Sequence, residues 1–334
     1  MQQLFDIRQW VDSLVVEKKI FIKEPWHIQI LQGDASCRIY FRLIGGEDSY
    51  ILVASPIDRI DNRLFVNIAK KWRAEGVNVP RVYHIDALLG FMLIEDFGEM
   101  HLFDLLNKQP DIALYKKAIM QMVVIQQAPH NDLGVFDRGF LLREMQLFDA
   151  WFLKYQLGIQ TPDLLSQVYE VLIDNALSQP QTTMHRDFHS RNLLWFDDQV
   201  AVIDFQDAMR GPLAYDLVSL LKDCYLSLSQ ESIDSLIDYY LLQENTNASF
   251  DFKIDREKFV KWFDLLGMQR HLKVLGLFIR LAAQEAKPRY LEELPRVFNY
   301  LVDSAAKYSE FDDFHAWLVK SLQPSLKQQS WFRS

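Results

Sequence analysis

Cysteine is scarce in this chain of 334 residues, which contains only Cys37 and Cys224. Two thiols so far apart form neither a zinc-ligand motif nor a disulfide framework. A basic surplus is also absent, because 36 Lys and Arg residues against 45 Asp and Glu residues give a net charge of −9, which argues against nucleic-acid binding. The sequence has neither an apolar run of eighteen residues nor a basic-then-apolar leader. We therefore expect a cytoplasmic protein with no nucleic-acid partner and no membrane partner.

The most informative stretch reads HRDFHSRN from His185 to Asn192, and VIDF follows it, ending at Phe205. It places Asp187 five residues before Asn192, with Asp204 twelve residues further on. Phosphoryl transfer from ATP needs a carboxylate that orients and deprotonates the attacking hydroxyl. It also needs an amide and a second carboxylate that hold Mg²⁺ on the phosphates. The spacing predicts Asp187 as the catalytic base and Asn192 and Asp204 as metal ligands, with ATP and Mg²⁺ as cofactors.

Each of these residues alone also fits a structural role. Asp187 is acceptable as a helix cap, His189 as a surface residue and Asp204 as the first residue of a turn. Together, however, these roles would require kinase spacing to arise by accident. Apolar pairs also flank Asp197-Asp198, which is the signature of a β-hairpin.

The distribution of patterns along the chain predicts the fold class. We expect an N-terminal helix over 6–18, one helix capped by Asp61, and strands at 26–31, 38–44, 50–54, 81–85 and 91–94. Helical spacing then dominates to about residue 318. This order predicts an α+β protein with a protein-kinase-like bilobal fold. A small β-rich nucleotide-binding lobe would span 1–96, and a large helical lobe with the catalytic loop and substrate site would span 97–334.

The HRD and IDF motifs, together with GPLAYDL over 211–217, resemble the aminoglycoside phosphotransferase/choline kinase superfamily. That superfamily is an offshoot of the protein-kinase fold and acts on small hydroxylated molecules. Protein kinases themselves would show DFG and APE, whereas here Gln206 follows Asp204-Phe205 and no APE occurs.

Further blocks are similar to a narrower family, the bacterial anomeric N-acetylmuramate/N-acetylglucosamine kinases of cell-wall recycling. They are GDASCRIYFR over 33–42, DFQDA over 204–208, YDLVSLL over 215–221 and GMQRHLKVLG over 267–276. The resemblance extends over most of the chain, and the last block is the most specific. It implies a kinase that converts ATP and a sugar to a sugar 1-phosphate, which can return recovered wall sugars to peptidoglycan precursors.

The predicted nucleotide site departs from the protein-kinase pattern. The third strand, over 50–55, has no Lys to bind the α- and β-phosphates, and the phosphate loop has no glycine series. We expect backbone N–H groups and a hydroxyl of the loop to bind phosphate, with one arginine as the cation. An extended connector would bind the adenine edge. The candidates are Asp34, Ala35, Ser36, Arg38, Arg42, Glu95 and Phe97.

Sugar hydroxyls and an acetamido group call for hydrogen-bonding side chains. The candidates are Glu144, His189, Arg191, Gln206, Asp207, Arg270 and His271. A lactyl carboxylate on the sugar would need a cation, and either Arg270 or Arg191 is suitable. His185 and Asp216 are expected to brace the catalytic loop, although Asp216 equally suits a simple helix cap.

Two alternatives remain open at this stage. One is a kinase for another small alcohol, such as an aminoglycoside or a choline-like cation, against which the GxQRHxK block argues. The other is an ATP-binding pseudokinase. The missing strand-three Lys favours it, but the intact Asp187, Asn192 and Asp204 count against it. The sequence does not predict an oligomeric state.

Overall fold

The computed structural model describes residues 2–31, 37–247 and 253–332. The chain forms two compact units: one comprises Met1–Met100 and Leu194–Gln206, and the other His101–Leu193 and Asp207–Ser334. The helix and strand content confirms the α+β class. The predicted lobes were 1–96 and 97–334, and the first compact unit also includes residues 97–100 and the hairpin segment Leu194–Gln206.

The strands of the described residues are β1 (His27–Leu31), β2 (Ile39–Gly45), β3 (Asp48–Ala54), β4 (Val82–Asp86), β5 (Phe91–Glu95), β6 (Gly134–Val135), β7 (Gln181–Met184), β8 (Leu193–Phe196), β9 (Gln199–Val202) and β10 (Met209–Pro212). The α-helices are α1 (Gln2–Val16), α2 (Asn62–Ala74), α3 (Leu102–Lys108), α4 (Ile112–Gln127), α5 (Arg138–Leu147), α6 (Leu164–Ser178), α7 (Tyr215–Leu221), α8 (Gln230–Asn247), α9 (Arg256–Gln284), α10 (Leu294–Ala305), α11 (Asp312–Trp317) and α12 (Gln323–Leu326). Other helical segments are 3₁₀-helical (Ser190–Asn192, Pro288–Glu293, Ser309–Phe311) or π-helical (Phe148–Leu157, Leu318–Leu322).

The first unit is built on a five-stranded antiparallel sheet in the order β1-β2-β3-β5-β4. Alternate residues of β2, including Phe41 and Leu43, are buried, as the period-two pattern of a strand with one covered face requires. They pack in one cluster with Trp10 and Leu14 of α1, which places the N-terminal helix against this face.

The β8–β9 hairpin belongs to this unit because its backbone and its apolar side chains are held there. Its turn residues Asp197 and Asp198 have φ angles of +50° and +56°, the left-handed pair that a tight hairpin turn requires. The N–H of Val202 donates to the carbonyl of Asn78 at 2.8 Å. Phe97 packs in a buried cluster formed with this hairpin. The predicted hairpin is therefore confirmed.

The second unit is organised around α9, a 29-residue helix that is buried over most of its length. Asp255 begins it by accepting a hydrogen bond from the N–H of Lys258 at 2.9 Å. A Cβ at Gly276 would lie 2.2 Å from the carbonyl of Leu147, so only glycine allows α9 to approach the end of α5 this closely.

No helix within the described residues combines the length and apolar character that a membrane span requires.

Candidate active site

The loop after β7 carries Asp187 and is held by a buried carboxylate. Asp216, in the first turn of α7, is 1% exposed and accepts hydrogen bonds from the N–H groups of His185 at 2.7 Å and Arg186 at 3.0 Å. Arg186 has a φ of +77°, which is strained for a residue other than glycine and persists only where the surroundings enforce it. The hydrogen bonds to Asp216 provide that constraint, so the predicted anchoring role of Asp216 is confirmed.

Asp187 is surrounded by positive charge. One carboxylate oxygen lies 3.5 Å from Nη1 of Arg270, and 39% of the side chain is exposed. Burial raises the pKa of Asp187, but the charges of Lys273 and Arg270, with smaller contributions from the loop, outweigh it and hold the pKa well below its usual range. The carboxylate is therefore ionised at neutral pH and acts only as a hydrogen-bond acceptor. It can orient a hydroxyl group, and it is a weak proton acceptor.

Glu144 on α5 connects the catalytic loop to α9. Its carboxylate is 7% exposed and lies 3.1 Å from Nη2 of Arg186, 3.0 Å from Nζ of Lys273 and 3.3 Å from Nε2 of Gln269. A buried carboxylate is stable in a folded protein when cations and hydrogen-bond donors surround it in this way. Glu144 was predicted to contact the sugar, and the structure shows it bound by three side chains of the protein itself.

Arg270 and Lys273 are three residues apart on α9 and share one face of the helix. Arg270 is 3% exposed, and its Nη1 donates to the carbonyl of Arg186 at 3.1 Å as well as facing Asp187. Burial lowers the pKa of Lys273, but Glu144, Tyr215 and Asp187 together outweigh it, so the pKa is raised and the ammonium stays charged. Arg270 was predicted from the sequence, whereas Lys273 was not. Its i,i+3 spacing within the same block was the signal that could have found it.

His271 contacts different side chains of the second unit from those that surround Arg270, its neighbour in the sequence. The ring is fully buried, stacks on Tyr300 with centroids 5.2 Å apart, and has Nε2 3.4 Å from the carbonyl oxygen of Lys222. Burial holds the pKa of His271 well below its usual range, so the imidazole is neutral. A side chain enclosed in this way packs in the core, and this position argues against the predicted contact with the sugar.

The predicted metal ligands belong to different units, and each has a defined local geometry. In the second unit, Nδ2 of Asn192 donates to the carbonyl of Asp187 at 3.0 Å, so the amide presents its oxygen as the acceptor end. In the first unit, Asp204 follows β9 with a φ of +63°, is exposed, and accepts a hydrogen bond from Nε2 of Gln206 at 2.8 Å. An amide oxygen and a carboxylate are ligands that Mg²⁺ prefers.

Two further candidates for the sugar precede Asn192 on the same loop. His189 lies edge-to-face with Tyr225, with centroids 5.4 Å apart, and burial lowers its pKa, so its ring is neutral. The guanidinium carbon of Arg191 lies 3.6 Å from the centroid of the same Tyr225 ring. Asp207, an exposed residue of the second unit, interacts through its backbone, because its carbonyl accepts from Nη1 of Arg186 at 3.4 Å.

The nucleotide candidates lie in the first unit. Arg42 is held by carboxylates: Asp96 accepts from its guanidinium at 2.7 Å and 3.1 Å, and Glu99 accepts as well. Glu95 accepts from Nη1 of Arg73 and from the N–H of Arg81. Arg38 is 8% exposed, with its guanidinium over the ring of Phe65.

The remaining nucleotide candidates are a core residue and a loop. Phe97 is 4% exposed and packs in the cluster with Leu194 and Ala201. The predicted phosphate-binding residues Asp34, Ala35 and Ser36 lie outside the described residues.

Residues 27–251 match the profile of the phosphotransferase enzyme family, which covers more than half of the chain. The N-acetylmuramate/N-acetylglucosamine kinase of Pseudomonas aeruginosa is 34% identical over 312 residues, covering 90% of this chain and 91% of that protein. The N-acetylmuramate/N-acetylglucosamine kinase of Neisseria meningitidis serogroup B is 33% identical over 330 residues, covering 96% of each chain.

Solved structures show the same fold at low sequence identity. A Plasmodium vivax ethanolamine kinase superposes with a TM-score of 0.63 at 12% identity, covering 91% of this chain and 87% of that chain. An ADP-bound aminoglycoside phosphotransferase superposes with a TM-score of 0.58 at 14% identity, covering 87% and 97%. These likenesses confirm the predicted kinase-like fold. From the profile match and the two relatives, we conclude that the chain belongs to the phosphotransferase enzyme family.

Proposed function

We propose that this protein is an ATP-dependent sugar kinase that phosphorylates the anomeric hydroxyl of N-acetylmuramate or N-acetylglucosamine to give the sugar 1-phosphate. The observation that carries this proposal is the ionised Asp187, held on a strained loop beside Arg270 and Lys273 of the GMQRHLK block. The relatives named for these two sugars cover nine-tenths of the chain or more, which supports the same substrate class.

The chemistry assigned to Asp187 fits an anomeric hydroxyl. In the proposed reaction the hydroxyl oxygen forms a bond to the γ-phosphorus of ATP, the bond from that phosphorus to the oxygen of ADP breaks, and the hydroxyl proton passes to Asp187. A carboxylate with a depressed pKa accepts a proton poorly from an ordinary alcohol. An anomeric hydroxyl is more acidic because the ring oxygen withdraws electrons from it, so a weak base suits this acceptor better.

Mg²⁺ is assigned to Asn192 and Asp204. The donor set fits, because an amide oxygen and an exposed carboxylate are hard oxygen ligands of the kind that Mg²⁺ prefers, and these two residues would hold the ion. When bound, the ion supplies charge neutralisation on the transferring phosphoryl group. The positive φ of Asp204 turns its carboxylate away from the direction that a continuing strand would impose.

Arg38 is our choice for the cation that replaces the strand-three Lys. Arg42 forms ion pairs with Asp96 and Glu99, whose negative charges offset its own. Arg38 lies immediately before β2 and follows the predicted phosphate loop in the sequence. We assign ATP to the first lobe, residues 1–96, and the sugar to residues of the second, and we place the reaction in the cytoplasm, where ATP is supplied.

The structure also bears on the other candidates for contact with the sugar. His189 and Arg191 remain suitable because they lie on the loop between Asp187 and Asn192, and Gln206 adjoins the Asp204 carboxylate. Arg270 would act beside the reacting hydroxyl through Asp187. A kinase for an aminoglycoside or a choline-like alcohol and a pseudokinase are the competing functions.

A substrate panel followed by phosphorus NMR of the product tests the proposal. We expect ADP release with the two N-acetyl sugars and a product phosphate that couples to the anomeric proton. Coupling to the exocyclic methylene protons would overturn the anomeric assignment. Turnover only with choline or an aminoglycoside would support the second kinase function, and no turnover with any acceptor would support the pseudokinase.

A further inference from the structure

The guanidinium of Arg191 is enclosed by aromatic rings of the second unit. Its carbon lies 3.6 Å from the ring centroid of Tyr225 and 4.8 Å from that of Phe103. Tyr225 is backed in turn by Phe278, whose ring is stacked at 6.2 Å. The two rings are edge-to-face with each other, with centroids 6.5 Å apart, so they border the guanidinium on two adjacent sides, and the Arg191 side chain keeps 28% exposure.

Hydrogen bonds fix the positions of both Arg191 and Tyr225. Asp223 accepts from the N–H and the hydroxyl of Ser190 at 3.0 Å and 2.6 Å, and its other oxygen accepts from the N–H of Tyr225 at 2.9 Å. The ring Nδ1 of His101 donates to the carbonyl of Arg191 at 2.8 Å. The Asp223 carboxylate therefore holds the backbone next to Arg191 as well as that of Tyr225, and the guanidinium is positioned before any ligand binds.

The charge of Arg191 is only loosely compensated. Its carboxylate partner is Glu293 at 3.8 Å, a long ion pair. Glu293 is bound more tightly by Arg296, at 2.6 Å. Arg270 differs, because it is 3% exposed and already faces Asp187 and the carbonyl of the strained loop. Of the two arginines that suit an anionic substituent, Arg191 is the one whose donors remain accessible.

We propose that Arg191 determines sugar specificity by binding the lactyl carboxylate that distinguishes N-acetylmuramate from N-acetylglucosamine. This inference rests on the proposed function. A guanidinium binds a carboxylate through two parallel hydrogen bonds, and its other face remains stacked on Tyr225. The same arrangement disfavours cationic acceptors. Aromatic faces attract quaternary ammonium groups, but here the protein's own cation already occupies them.

The test compares kcat/KM for the two sugars on the same enzyme preparation. In Arg191→Gln we expect kcat/KM for N-acetylmuramate to fall by about 10- to 100-fold, the size of a lost charge-assisted hydrogen bond. The value for N-acetylglucosamine should fall by a smaller factor, because that sugar has no carboxylate to bind, so the ratio of the two kcat/KM values should shift toward N-acetylglucosamine. Arg191→Lys should fall between, since it keeps the charge and loses the planar fork. Arg256→Gln, which removes an exposed guanidinium paired with Asp238, is the control for the change in net charge.

The ratio of kcat/KM for the two sugars distinguishes a change in specificity from general structural damage. An equal loss for both sugars, or an unchanged ratio, would overturn the inference even though the proposed function stood. Wild-type activity on N-acetylglucosamine alone would also overturn it. Should the wild type accept only N-acetylmuramate, the neutral lactyl amide serves as the uncharged comparison, tested as a competitive inhibitor. It should then bind wild type and Arg191→Gln equally, and a loss of amide binding in the variant would overturn the inference. Failure of the wild type with both sugars would instead remove the proposed function.

Discussion

Glu144 is buried, so a structural role and a role in substrate contact predict different effects when it is replaced. Replacing Glu144 with Gln keeps the shape and removes the charge that compensates Arg186 and Lys273 at 3.1 Å and 3.0 Å. Breaking a buried ion pair on one side costs about 3–5 kcal/mol, because the remaining charge stays buried without compensation. The Gln oxygen can still accept one hydrogen bond, so we expect the lower part of that range, roughly 3–4 kcal/mol.

That loss converts to a measurable change in thermal stability. The entropy of unfolding is about 2.1 cal/mol/K per residue, and the second unit contains roughly 220 residues. Glu144→Gln should therefore lower Tm by about 6–9 °C. Differential scanning calorimetry gives Tm, and a coupled ADP assay gives kcat and KM for the sugar. Glu170→Gln is the matched control, because that carboxylate is 57% exposed and pairs with Arg138 at the surface.

A structural role and a substrate-binding role for Glu144 predict different changes in Tm and in KM for the sugar. A structural role predicts a large drop in Tm for Glu144→Gln and almost none for Glu170→Gln, with kcat reduced because the catalytic loop loses its link to α5. An unchanged Tm together with a raised KM for the sugar would refute the reasoning and restore Glu144 as a substrate ligand.

Five further variants test separate assignments. Asp187→Asn should keep its circular dichroism spectrum and lose roughly 10²–10⁴-fold in kcat, and retention of more than a tenth of the activity would remove it as the base. Asp204→Ala should raise the Mg²⁺ concentration needed at fixed ATP, and an unchanged titration would count against its role as a ligand. Arg38→Met should raise KM for ATP more than KM for the sugar. Arg42→Met should instead lower Tm by freeing Asp96 and Glu99, and the reverse pattern would exchange the two assignments. Burial raises the pKa of Glu244 to about 7, so its neutral form stabilises the fold at low pH and this contribution is lost as pH rises through 7. Glu244→Gln should therefore gain Tm relative to wild type at pH 8 but not at pH 5, and a difference independent of pH would contradict this assignment.

Local features of the fold were predictable because their causes are local. The turn at Asp197-Asp198 requires residues that tolerate a positive φ, and short polar side chains between apolar pairs meet that need. The anchoring of the catalytic loop by Asp216 has a different origin, because the N–H groups that it binds lie 31 and 30 residues earlier in the chain and the sequence suits a simple helix cap equally well.

The long-range contacts were not predictable in this way. Glu144 and Lys273 are far apart in the sequence, and each alone reads as part of a polar helix face. Only the packing of α5 against α9, which the absence of a side chain at Gly276 permits, brings the two charges to 3.0 Å. The assignment of the hairpin to the first unit has the same origin, because the hydrogen bond of Val202 to Asn78 depends on tertiary packing.

The α9 block has a physical explanation beyond family resemblance. A buried helix rarely carries consecutive polar residues, because each needs a partner when removed from water. Here Gln269 and Lys273 donate to Glu144, and Arg270 faces Asp187, so the block supplies both the support for the loop and the charge that keeps Asp187 ionised. The same cations that stabilise the loop also weaken Asp187 as a proton acceptor. A hydroxyl that is acidic before it reacts suits such a carboxylate better, so the electrostatics of the second unit support the proposed anomeric position.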